Sequence, residues 1–165
     1  MDKDTFLNGK TTLNLKGQLL DLSKPCVMGI LNITPDSFFD ESRNSTVEAA
    51  VQKAELLLHE GAKIIDIGGY SSRPGAQDLS PAEEADRVLP LIEAIVKRFP
   101  DAYLSIDTFR AEVARQSIEA GAHIINDISG FALDENMLAV VAALNVPYIL
   151  MHMKGTPQLM QEAPA

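Results

Sequence analysis

A chain of 165 residues, 46% hydrophobic and 22% charged, carries enough apolar material for a globular core and is not composed like a disordered chain. Its formal net charge of −9 and pI of about 4.7 argue against nucleic-acid backbones and anionic membrane surfaces as partners, because a negative field repels both. A small anionic ligand remains compatible, provided that local cations or a metal receive it.

The opening MDKDTFLNGK lacks the basic-then-apolar order of a secretion signal. No apolar run approaches the roughly 20 residues that span a bilayer. The single Cys26 has no internal disulfide partner, which fits a reducing compartment. Together these predict a soluble, cytoplasmic protein.

Residues 11–22, TTLNLKGQLLDL, alternate apolar and polar positions around Lys16-Gly17 and read as a hairpin. Beyond Pro25 the pattern becomes strand, loop, helix, repeated. VMGIL (27–31), KIIDI (63–67), YLSI (103–106), HIIN (123–126) and PYILM (147–151) read as strands. Ser45 with Glu48 has capping-box spacing, followed by Val47, Ala50, Val51, Ala54, Leu57 and Leu58 on one helical face. Ser80, Pro81 and Glu83 supply an N-cap, a first-turn proline and a third-position carboxylate. The helix they open runs to about Phe99, with Val88, Leu89, Ile92, Ile95 and Val96 inward and Pro90 marking a kink or break. Residues 110–120 and 135–144 make two shorter helices, the second with Met137, Val140, Val141 and Leu144 inward.

EGAKIIDIGG (60–69) and AGAHIINDISG (120–130) repeat one grammar: helix end, glycine cap, buried strand, polar residue at the strand's end. Alternating strands and helices imply parallel strands with right-handed crossovers, and Ile/Val/Leu-rich strands imply burial on both faces. The candidates are a doubly wound sheet and a (β/α)8 barrel. No G-x-G-x-x-G follows the first long strand, which weakens the dinucleotide-binding version.

In a β/α barrel the chemistry sits at the carboxyl ends of the strands. Those positions hold Asn32; Asp66 with the loop GGYSSRPGA; Asp107; Asn126 and Asp127; and Met151 with His152. Asp107 or Asp127 alone would be an ordinary helix cap, and His152 an ordinary structural histidine. Polar groups at the end of each strand, converging on one rim, point instead to a ligand. Asp and Asn on adjacent strands offer acceptors and an amide to a flat heterocycle edged with N–H and C=O groups. Arg73 offers a guanidinium fork to a phosphate or carboxylate, and the Asn32 carbonyl oxygen offers one ligand to Mg²⁺ beside diphosphate oxygens and waters.

At these residues the sequence resembles the dihydropteroate synthase family. MGILNITPDSFFD from Met28 is similar to the family's first-strand signature and first loop, and IIDIGGYSSRPGA from Ile64 to its second. SIDTF (105–109), IINDISG (124–130) and ILMHMKGTPQLMQ (149–161) match the next three motifs in order. The resemblance implies a TIM (β/α)8 barrel, here incomplete, with an N-terminal hairpin and about five parallel strands. It makes residues 1–165 one pterin-binding domain truncated on its C-terminal side. It also implies an Mg²⁺-assisted condensation of 6-hydroxymethyl-7,8-dihydropterin diphosphate with p-aminobenzoate, giving 7,8-dihydropteroate and diphosphate.

Carried over to this sequence, Asp107 and Asn126 contact the pterin, Asp107 also facing the cation that develops when diphosphate leaves. Met151 packs in the pterin pocket, Asn32 serves the Mg²⁺-diphosphate, and Ser72 and Arg73 the anion. Asp36, Phe38 and Pro74 belong to loops that enclose p-aminobenzoate. Ser72 stands where threonine is common, Tyr70 where an acidic residue is frequent, and FFDES replaces a Ser-Asp-Gly-Gly type of ending. The family's second pterin-binding Asp, its Ser-Arg-Lys lysine and its Arg-x-His pair belong to regions after the fifth strand. The resemblance further implies a homodimer for the full-length form. Two other readings stay open: a non-catalytic truncated fragment, and a methyltetrahydrofolate-dependent methyltransferase, which would not be expected to carry both the 34–38 and 72–75 motifs.

Overall fold

The two residues with positive φ at the hairpin turn, Lys16 (52°) and Gly17 (92°), have the sign that a two-residue turn between right-twisted strands requires. They join β1 (Thr12–Leu15) to β2 (Gln18–Asp21) in antiparallel register. The computed structural model describes residues 11–33, 43–70 and 79–151. Five further strands follow: β3 (Val27–Asn32), β4 (Ala62–Gly68), β5 (Tyr103–Asp107), β6 (Ile124–Asp127) and β7 (Tyr148–Leu150). All pair in parallel, in the order β3-β4-β5-β6-β7.

That order decides between the two candidate architectures. A doubly wound sheet reverses its strand order at a switch point and carries helices on both faces. Here the strands follow chain order without reversal. The connecting helices are α1 (Arg43–His59), α2 (Pro81–Arg98), α3 (Ala111–Glu119) and α4 (Met137–Leu144). Residues from every helix share one cluster with Leu31, Ile65, Ile67, Leu104, Ile106 and Ile125, so all four helices cover the same face. This is the arrangement of an incomplete β/α barrel. On the opposite, inner face the hairpin's Leu15 and Leu20 close over Ile64 and Ile124, with Met28 and Tyr103 beside them. The hairpin thus fills the amino end of the inner face and leaves its carboxyl end open.

The helices follow their sequence signals with two corrections. The capping box opening α2 is complete: the Glu83 N–H donates to Ser80 Oγ at 3.2 Å, and the Ser80 N–H to Glu83 Oε2 at 2.8 Å. Pro90 does not break α2, which continues through it to Arg98. The packing of Val88, Leu91, Ile92 and Ile95, all buried, outweighs the one donor that proline removes. The first helix begins at Arg43, two residues before the expected cap at Ser45, so Ser45 lies inside the first turn. Gly61 (φ 105°) and Gly121 (φ 121°) end α1 and α3 in the left-handed region, as the repeated Gly-Ala-x-Ile-Ile motif demands.

Candidate active site

Strand pairing sets one row of residues across the open end of the inner face. Asn32 is opposite Gly68, Gly68 opposite Asp107, Asp107 opposite Asn126, and Asn126 opposite Ile149. Parallel register alone therefore brings together three of the expected residues, from strands that begin 76 and 21 residues apart. Gly68 is required in this row. A Cβ there would stand 2.7 Å from Asn32 Oδ1 and 3.5 Å from Asp107 Oδ2, so glycine leaves the space between amide and carboxylate clear.

One rung lower, Asp66 is 4% exposed and pairs in register with Ser105. Its Oδ2 accepts a hydrogen bond from Asn126 Nδ2 at 3.0 Å, reaching across β5. Such contacts between alternate strands are how a β/α barrel builds its interior layers. Burial raises the Asp66 pKa, opposed by the neighbouring Ser105 hydroxyl and the Asn126 amide. Among the described residues only the Asn126 contact meets hydrogen-bond geometry, and Asp66 Oδ1 and Ser105 Oγ are buried without a partner there. Asp107 is pushed up from 3.8 to about 7, first by burial, then by the charges of Asp66, Glu84 and Asp127. Among the described residues, its electrostatic surroundings are acidic.

Asp127 takes a different role from its neighbour Asn126. It is fully buried and accepts from the Ser129 and Phe131 N–H groups at 2.7 and 3.1 Å and from the Tyr148 hydroxyl at 2.6 Å. Phe131 and Tyr148 stack with ring centroids 4.5 Å apart beside it. Asp127 is thus a brace for the turn after β6. Met151 follows β7, is 38% exposed, and its N–H donates to the Asp127 carbonyl at 3.3 Å. Asp36, Phe38, Phe39, Ser72, Arg73, Pro74 and His152 lie outside the described residues.

The residues flanking 71–78 are tied together. Arg110 pairs with the fully buried Glu84 of α2 and donates to the Leu79 carbonyl. Its guanidinium stands 5.1 Å from the Tyr70 ring centre and 4.9 Å from that of Phe109, and the two rings meet edge to face. Tyr70 is thus held by an edge-to-face ring contact and by the Arg110 cation over its ring. A groove of about 340 Å³ between α1 and α2, floored by Ile33, Ala50 and Leu91, lies on the helix-covered side of the sheet and shares no residue with the row.

The family model for pterin binding enzymes matches residues 28–165. The chain belongs to the pterin-binding enzyme family. It is 50% identical to the dihydropteroate synthase of Escherichia coli K12 over 149 residues, covering 90% of this chain and 52% of that protein. Among solved structures it resembles the dihydropteroate synthase of Xanthomonas albilineans with 4-aminobenzoic acid, at 46% identity and TM-score 0.81, covering 88% of this chain and 54% of the other. The same protein in complex with 7,8-dihydropteroate gives 43% identity and TM-score 0.76, covering 87% and 51%. The chain spans about half the length of the curated relatives it matches.

Of the residues expected at the site, strand register brings Asn32, Asp107 and Asn126 into one row and Met151 follows the end of β7, and two further features stand beside them. Asp66 has no role of its own among the strand-end positions of the sequence, although the repeated motif puts it in the same slot as Asn126, sixty residues earlier. The Glu84–Arg110 pair had no local signal, because its two residues meet only when α2 packs on the start of α3.

Proposed function

We propose that the protein containing this chain is a dihydropteroate synthase, joining 6-hydroxymethyl-7,8-dihydropterin diphosphate to p-aminobenzoate. The observation that carries this reading is the row Asn32, Gly68, Asp107, Asn126 at the open end of the inner face, in a family whose relatives bear that name. Asp107 and Asn126 present carboxylate and amide groups to the N–H and C=O edge of a pterin. The bond between the pterin methylene and the diphosphate oxygen breaks first. The aniline nitrogen then bonds to that carbon and its proton passes to solvent. Ionised Asp107 faces the methylene while positive charge develops there, and burial strengthens this attraction. Ser72 and Arg73 would receive the departing anion, and Asp36, Phe38 and Pro74 would enclose p-aminobenzoate beside Met151 and the pterin.

The donor set also suits Mg²⁺. Among the described residues no three His, Cys, Asp or Glu side chains group as a metal cage, while the missing Cβ of Gly68 keeps the Asn32 carbonyl oxygen clear. A hard cation held by one amide oxygen, with diphosphate and water as its other ligands, fits that pattern. Asn32 would hold Mg²⁺, which when bound would offset the charge of the leaving diphosphate. The reading extends to residues 1–165 as part of one pterin-binding barrel domain, to a cytoplasmic location and to a homodimer. No described helix is long and apolar enough to cross a membrane.

The test is diphosphate release by the full-length protein with each substrate alone and with both. Release that requires p-aminobenzoate and falls when Mg²⁺ is chelated is expected; release independent of p-aminobenzoate overturns the proposal. In calorimetric titrations, Asp107→Ala and Asn126→Ala are expected to weaken pterin diphosphate at least tenfold, the loss of one charged or bidentate contact. Phe38→Ala is expected to weaken mainly p-aminobenzoate.

A further inference from the structure

Asp66 carries a cost that its fold position does not explain. It is an acidic residue in the middle of an apolar strand, 4% exposed, and among the described residues one of its carboxylate oxygens and the Ser105 hydroxyl on the adjacent strand have no hydrogen-bond partner. An apolar residue would pack there at less expense. Its only hydrogen bond among the described residues is to Asn126 Nδ2.

An ionised carboxylate accepts and never donates, so it admits only the NH₂ side of an amide. Asn126 is therefore held with Nδ2 toward β4, and its Oδ1 has no donor among the described residues. Without Asp66 the amide has no reason to prefer one orientation, and its two polar ends would exchange roles toward a ligand. Asp66 itself is too deeply buried to meet a ligand directly, because its free oxygen has no solvent contact.

We propose that Asp66 is a positioning residue: it locks the Asn126 amide so that Oδ1 faces the pocket as a hydrogen-bond acceptor for a ligand N–H. The inference rests on the pterin reading given above and narrows it, assigning Asn126 the acceptor's part toward the heterocycle. The repeated motif supplies both halves of the device, with Asp in the first copy and Asn in the second.

The experiment uses the full-length protein, 6-hydroxymethyl-7,8-dihydropterin diphosphate and p-aminobenzoate. Asp66→Asn keeps the side chain's shape but removes the acceptor-only partner. It is expected to raise the KM for pterin diphosphate by about tenfold, the effect of one misdirected buried hydrogen bond, with the KM for p-aminobenzoate unchanged. A double-mutant cycle separates this from a general loss of folding: in an Asn126→Ala background, Asp66→Asn is expected to cost nothing further toward pterin. Equal losses in both backgrounds, or equal rises in both KM values, would overturn the positioning role. Wild-type protein that fails to bind pterin diphosphate would instead overturn the proposed function, so the two failures are distinguishable.

Discussion

Asp107 is the residue whose chemistry depends most on its surroundings. Its carboxyl binds a proton at higher pH in the folded protein than its ordinary 3.8, being raised to about 7. Between these values the folded state holds more protons than the unfolded chain, so stability falls as pH rises from about 4 to 7 and levels above. The full shift corresponds to on the order of 4 kcal/mol, lessened by any cation that the rest of the site brings near it. Asp107→Asn is expected to flatten this slope, measurable as urea midpoints across that pH range; an unchanged slope would place the titration elsewhere. Gly68→Ala tests the row itself. The new methyl would meet Asn32 Oδ1, and the expected result is a higher Mg²⁺ requirement for diphosphate release with little change in melting temperature.

At the scale of elements, the sheet is positioned by its helices through contacts of unequal worth. The capping box at Ser80 lies at the surface, and Ser80→Ala is expected to cost about 1 kcal/mol. The Glu84–Arg110 pair is buried and joins α2 to the N-cap of α3. Arg110→Ala would leave the fully buried Glu84 charge uncompensated, an expected loss of about 3–5 kcal/mol in chemical denaturation. Arg110→Lys should recover part of that, because a lysine carries the charge without the planar fork that reaches Leu79 or stacks on two rings. The cap was legible because its residues lie three apart. The ion pair was not, because its partners stand 26 residues apart and only helix packing joins them.

Across the described residues, burial is uneven. The face under the helices holds the main apolar cluster, with Leu150 at the end of β7 57% exposed on that side, while Ile30 at 61% and Ile149 at 38% exposure lie open on the inner face, on the two outermost strands of the sheet. Exposed apolar side chains next to strands with an unpaired edge favour association. A polypeptide limited to residues 1–165 is expected to bind an apolar fluorescent dye and sediment as oligomers. Replacing both isoleucines with lysine should diminish both signals, and a dye-silent monomer would contradict this account.

The sequence by itself determined the strand–helix alternation, the hairpin and the carboxyl-end polar residues, because these depend on local periodicity, glycine and proline geometry and short spacings. It also carried the family motifs. Tertiary structure decided which of those polar groups share a task. Asn126 and Asp127 are adjacent in sequence, yet strand alternation turns one to the open inner face and buries the other among Tyr148, Ser129 and Phe131. Asp66 and Asn126 are sixty residues apart, yet barrel layering makes them hydrogen-bond partners. Neighbourhood along the chain fixes which element a residue joins; only the register of packed strands fixes which groups meet.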